Sequence, residues 1–230
     1  MQALPTQYVS FTFFKLDPAF RRLDKEEQLQ GKNEFIQAIE EYQKTDMMIL
    51  YYSLVGIRAD VDIMLWRISE KLEDFQTMMT KLLHTKLGQY LQVTQSYLSI
   101  TKRSIYVDKL DPEHQNIRAY IVPGEKKYLF VYPFIKSRDW YHLSFPTRQG
   151  MMDEHIKEGV KYPSVKLNTT YSFGIDDQEF VVAFEADDPK EFLNLVQDLR
   201  ETEASKYTVK DTPMYTCLRM NSCKELLDTI

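Results

Sequence analysis

Cysteine is almost absent from this chain: Cys217 and Cys223 are the only two in 230 residues. Two thiols make neither a disulfide framework nor a zinc quartet, which fits a reducing compartment, and neither reads as catalytic. Glycine is scarce as well, at 7 residues, which argues against a phosphate-cradling loop fold. There is no basic excess, since 29 Lys and Arg stand against 34 Asp and Glu for a net charge of -5. A nucleic-acid footprint needs a basic stripe, so that class is dropped. No apolar run reaches membrane-spanning length, and the opening MQALPTQYVSFTFFKLD has neither a basic start nor a small-residue cleavage site. The expectation is a cytoplasmic protein without a signal peptide or a membrane partner.

What is present is a sizeable core and a repeat. Hydrophobic residues make up 43% of the chain and aromatics 13%, enough to bury one large domain or two small ones. When YVSFTFFKLDPAFRRL is laid over YLFVYPFIKSRDWYHL, Tyr8 falls on Tyr128, Phe14 on Phe134, Phe20 on Trp140 and Leu23 on Leu143, all at one offset. Further along, YYSLVGIRADVDIMLW (51–66) resembles TYSFGIDDQEFVVAFE (170–185).

Periodicity predicts strands at 6–15, 47–55, 60–68 and 90–101 with helices at 24–44 and 70–84 in the first copy. In the second it predicts strands at 127–136, 165–173, 179–185 and 212–219 with helices at 146–161 and 189–203. That is β-α-β-β-α-β twice: an α+β fold of tandem ferredoxin-like repeats, able to form a dimeric α+β barrel-type unit. The polar stretch KLDPEHQN (109–116) reads as the connection. It divides the chain into a structural N-terminal half, 1–108, and a C-terminal half, 109–230, that carries the chemistry.

The assignment of chemistry follows from where the copies disagree. A repeat needs only apolar residues at its core positions, so a polar residue in one copy facing an apolar one in the other is a candidate site. Tyr132 faces Thr12, Lys136 faces Leu16 and His155 faces Phe35, with all three of these larger polar groups in the second copy. Tyr132 and Lys136 share a strand face with Phe134, and a lysine on an apolar face needs an anion or a route to water. His155 lies on a helix that Ser144 and Pro146 begin, with Met151, Met152 and Ile156 on or beside its face. Taken alone, it reads more readily as a core histidine bonded to a carbonyl. A buried neutral imidazole among methionines and aromatics is also what an iron porphyrin needs as an axial ligand. Arg118 and Tyr120, on alternate positions of NIRAYIVPG, add a cation and a phenol. Together these residues point to a ligand that carries carboxylates.

The second copy closely resembles the chlorite dismutase-like haem protein family, above all its coprohaem decarboxylase branch. The likeness rests on YPFIKSRDWY, MMDEHIKEG, KLNTTYSFGIDDQEFVVAFE, LRETEASKYT and DTPMYT, and covers most of 118–219. It implies paired ferredoxin-like halves assembled as a homopentamer. It implies haem chemistry, with His155 as proximal iron ligand, Tyr132 as the tyrosine oxidised to a radical and Lys136 beside the reacting propionate. Arg118, Tyr120 and Thr212 match propionate-holding positions, and Glu203 resembles the carboxylate that accepts the proximal histidine's N–H.

Leu167 falls where chlorite dismutases carry a distal arginine and some decarboxylases a glutamine, which disfavours chlorite turnover. Lys206 replaces an arginine common in the family. The implied function is oxidative decarboxylation of coprohaem (iron coproporphyrin III) to haem b by hydrogen peroxide. The alternatives are a non-catalytic haem-binding or transfer protein, and a chlorite dismutase or peroxidase-type haem enzyme.

Overall fold

The computed structural model describes residues 5–106 and 120–230. The chain divides into two compact units, one of Gln7–Leu98 with Thr216–Ile230, the other containing Ser99–Tyr215. The stretch read as the connection, 109–116, lies outside the described residues.

In the first unit, β1 (Tyr8–Leu16), α1 (Lys25–Gln43), β2 (Met48–Ser53), β3 (Ile63–Ser69), α2 (Glu73–His84) and β4 (Leu91–Ile100) follow one another. The strands lie in the order β4-β1-β3-β2, the arrangement of a ferredoxin-like sheet. β3 is antiparallel to both neighbours and buried at every position. Asp24 caps α1 by accepting from the Glu27 amide at 2.8 Å, satisfying one of the helix's free N–H groups. The helix then buries Gly31, Phe35 and Ile39, four residues apart, on one face. At Gly31 a Cβ would come 3.1 Å from the Leu87 amide nitrogen, so glycine lets that backbone approach. α2 contributes Phe75, Met78 and Leu82 to the same core.

The second unit repeats the plan with β5 (Tyr128–Lys136), α3 (Arg138–His142), α4 (Phe145–Gly159), β6 (Lys166–Tyr171), β7 (Phe180–Ala186), α5 (Pro189–Glu201) and β8 (Thr208–Lys210). The order β8-β5-β7-β6 is the first unit's order again. The strand expected at 212–219 occurs as β9 (Tyr215–Met220), and its Leu218–Met220 segment pairs with Tyr51–Ser53 of β2. The three-residue β8 lies beside the end of β5. Elements as short as α3, β8 and the closing α6 (Cys223–Leu227) leave no periodicity to read. No helix among the described residues is long and apolar enough to cross a membrane.

Candidate functional site

Cross-strand register builds an aromatic wall on one face of the second sheet, because residues directly paired between antiparallel strands share a face. Its rows are Phe130, Phe184 and Leu167; Tyr132, Val182 and Thr169; and Phe134, Phe180 and Tyr171. α5 covers one end, where Phe192 stacks on Phe130 with ring centroids 4.0 Å apart. The rest is less covered by the chain: Phe134, Phe180, Thr169 and Tyr171 are half-buried and Leu167 is 51% exposed. Lys166, one residue before Leu167, pairs with Glu185 and so belongs to the opposite face, as strand alternation predicts.

Tyr132 stands in the middle of this wall, buried, its ring 6.2 Å from that of Phe184. Burial pushes its phenol pKa well above the ordinary value, with the Asp211 carboxylate adding to the rise and Arg200 opposing it, so the hydroxyl keeps its proton. That hydroxyl has no hydrogen-bond partner among the described residues.

Lys136 closes the strand at a β-bulge between Ile135 and Lys136, where bulges re-aim side chains. Its ammonium donates to the Ala204 carbonyl at 2.5 Å and lies 4.8 Å from the centroid of the Trp140 ring. Among the described residues it has no salt bridge. Burial pushes its pKa down to about 8, partly offset by the Glu179 carboxylate.

Ser144 caps α4 through the Thr147 amide, with Pro146 in the first turn, as the sequence predicted. None of the helix's fifteen residues is buried. His155 is half-buried and makes no hydrogen bond among the described residues. Burial, and secondarily the Lys136 cation, push its pKa down to about 4. At neutral pH the imidazole is therefore uncharged and offers a lone pair. Glu203 ties its own segment to this helix, its amide donating to Glu154 at 2.8 Å.

The remaining sequence candidates are placed as follows. Tyr120 is half-buried in a bend ahead of β5, while Arg118 lies outside the described residues. Thr212 is exposed in the loop before β9. The Glu203 carboxylate pairs with the Lys206 ammonium at 2.7 and 2.8 Å rather than with the imidazole.

Sequence reasoning missed Glu179, whose Oε2 accepts both the Lys136 amide at 2.8 Å and the Tyr141 hydroxyl at 2.6 Å. Both residues stood in stretches already singled out, but only the pairing of β5 with β7 brings them together.

The donor set fits an iron porphyrin. Among the described residues no group of three or more His, Cys, Asp and Glu could hold a bare metal ion, whereas one unpartnered imidazole suits an iron already held by four ring nitrogens. A cation without a salt bridge among the described residues suits the porphyrin's carboxylates, and an incompletely covered aromatic wall suits its ring. A separate cleft of about 370 Å³ lined by Glu154, Glu158, Lys161, Asp198, Glu201 and Thr202 has the wrong charge for such a ligand.

A family model described as chlorite dismutase matches residues 28–220. A coproheme decarboxylase of Mycolicibacterium smegmatis is 28% identical over 217 residues, covering 94% of this chain and 90% of that protein. One from Staphylococcus carnosus is 28% identical over 222 residues, covering 89% and 88%. Among solved structures, a mutant chlorite dismutase from Candidatus Nitrospira defluvii superposes with a TM-score of 0.87 at 24% identity, over 96% of this chain and 94% of that one. A heme-binding protein from Thermus thermophilus gives 0.84 at 21% identity, over 97% and 94%. These two structures speak to the fold.

Proposed function

The chain belongs to the chlorite dismutase family, and from that premise we propose that it is a haem-dependent oxidoreductase that decarboxylates coprohaem to haem b with hydrogen peroxide. The observation that carries this reading is the set of three side chains on one unit that, among the described residues, comprises an imidazole and a phenol without hydrogen-bond partners and an ammonium without a salt bridge. The site belongs to the C-terminal half, 109–230. Homopentameric assembly is part of the same reading.

Bound iron porphyrin supplies the oxidising chemistry; the protein supplies placement and a radical relay. His155, neutral at physiological pH, holds the iron from α4. Lys136 binds a propionate, and the new charge partner raises its lowered pKa back toward the ordinary value. Arg118, Tyr120 and Thr212 hold further carboxylates. Tyr132, after loss of one electron and its proton, takes a hydrogen atom from the β-carbon of a propionate. The carbon radical so formed gives a second electron to the peroxide-derived oxidising equivalent, the carboxylate leaves as carbon dioxide and a vinyl group remains. Counted from the carboxylic acid, each such loss releases two electrons and two protons, the amount one peroxide consumes on becoming two waters. Holding the β-carbon against the phenol contributes several kcal/mol through proximity. Leu167 offers no hydrogen bond to an oxyanion, which weighs against chlorite as substrate.

The test is to titrate the protein with ferric coprohaem, add peroxide in steps, and follow porphyrin mass and the Soret band, with Tyr132→Phe in parallel. Two successive decarboxylations, lost in the variant, are expected. Tight binding without mass loss would instead indicate a haem carrier, and absence of a Soret change would make His155 a core histidine. Oxygen release from chlorite would overturn the reading of Leu167.

A further inference from the structure

The segment between Tyr120 and β5 forms no strand of its own, yet side chains from the second sheet grip it at regular intervals. Lys166 of β6 donates through Nζ to the Val122 carbonyl. Glu185 of β7, the register partner of Lys166, accepts the Gly124 amide at 2.9 Å through Oε1. Asp187, two residues further on, accepts Lys126 Nζ at 2.7 Å and the Lys127 amide at 3.0 Å. Positions 122, 124 and 126 are thus held one after another, and Tyr120 is the next in that series.

Glu185 is the centre of the clamp. It is 1% exposed, and its Oε1 also accepts Asn168 Nδ2 at 2.9 Å, which fixes the carboxylate's orientation. A Cβ on Gly124 would lie 2.7 Å from Oε2, so a side chain there would make the carboxylate shift. A buried carboxylate is retained against a desolvation cost, and here its hydrogen bonds go to the strap and to the side chain that orients it. With Val122 and Gly124 both held, the two-residue tether allows Tyr120 an excursion of at most about 7 Å; with both released and the anchor moved back to Lys126, the limit is about 21 Å.

We propose that Glu185, assisted by Lys166 and Asp187, is a positioning residue that sets Tyr120 for the carboxylates of the porphyrin. This role rests on the function proposed above. The clamp itself does not.

The experiment combines hydrogen exchange of the apo protein over 120–127 with titration by ferric coprohaem and by its tetramethyl ester, which lacks carboxylates. It uses wild type, Glu185→Leu, Glu185→Gln and Gly124→Ala. Losing a charge-assisted hydrogen bond is worth about a tenfold change or more. Glu185→Leu should therefore speed exchange at Gly124 and weaken coprohaem binding, each by about tenfold or more, with ester binding unchanged. Gly124→Ala should act alike with the carboxylate in place, and Glu185→Gln, which keeps an acceptor oxygen, should stay near wild type.

Faster exchange with unchanged coprohaem affinity would make the clamp purely structural and overturn the positioning role. Unchanged exchange in both disruptive variants would overturn the clamp. If wild type binds neither porphyrin, the functional reading fails and the positioning role with it, while the exchange data still decide the clamp.

Discussion

Helix α1 presses Gly31, Phe35 and Ile39 into the first unit until they are buried, whereas α4, at the corresponding place in the repeat, buries none of its residues. The strands beneath them run in the same order. Where the first copy has Phe35, Leu16 and Thr12, all buried, the second has His155, Lys136 and Tyr132. A helix of this length gains little from propensity alone and depends on what its inner face packs against. The first copy fills that space with its own side chains. The second has an imidazole, a cation and a phenol at those positions, with the phenol inside an incompletely covered aromatic wall that would give the proposed porphyrin room. On the proposed reading, the duplication separates two tasks, with the site carried by the second half.

The largest effects should come from exchanging the two halves' central residues. Phe35→Ala should cost about 3–5 kcal/mol of stability, read by denaturant unfolding, because it empties a packed core. His155→Ala should leave apo stability within about 1 kcal/mol but weaken iron-porphyrin binding by about a hundredfold or more, read from the Soret band. If His155→Ala destabilised the apo protein as much as Phe35→Ala, the contrast between the halves would be lost. Next, His155→Phe gives the second copy the first copy's residue, and calorimetry should find the apo protein at least as stable as wild type.

A smaller effect follows from pH. His155 titrates lower in the folded chain, at about 4, than in the unfolded chain, about 6.5. Below that upper value the unfolded state takes up the proton first. Apo stability should therefore decline as pH falls from about 6.5 to about 4. His155→Phe should lack this contribution, and equal slopes for the two proteins would remove the histidine from the account.

Lys136→Met should lower coprohaem affinity by about tenfold, the scale of one ionic contact, and cost apo stability about 1–2 kcal/mol through the lost hydrogen bond to the Ala204 carbonyl. The smallest effect is expected of Leu167→Gln. This substitution on the exposed part of the wall should leave unfolding within about 0.5 kcal/mol and alter only the ligand-bound spectrum.

Much of this was legible in the residues. The offset between Phe14 and Phe134, and between Phe35 and His155, follows from core positions repeating, because a duplicated fold must place apolar groups at the same points of each copy. Ser144 and Pro146 marked the start of α4 because a helix's first turn needs an acceptor side chain and tolerates proline. Glu179 and Glu185 were not legible as site partners. Their roles depend on β7 lying beside β5 and beside the strap, contacts made across 43 positions of chain for Lys136 and Glu179 and 61 for Gly124 and Glu185. The contact of Glu203 with Lys206 likewise depends on rotamers and the turn that brings them together.

The sequence by itself determined the repeat, the α+β class and the half in which polar residues break the core pattern, because periodicity and side-chain chemistry are local properties that each residue carries with it. Only the tertiary structure decided that the short β8 lies beside the end of β5, that α4 buries nothing, and that Glu185 holds the strap before β5. Register, burial and the direction of a carboxylate are set by neighbours distant in sequence, and no local pattern encodes which neighbours those will be.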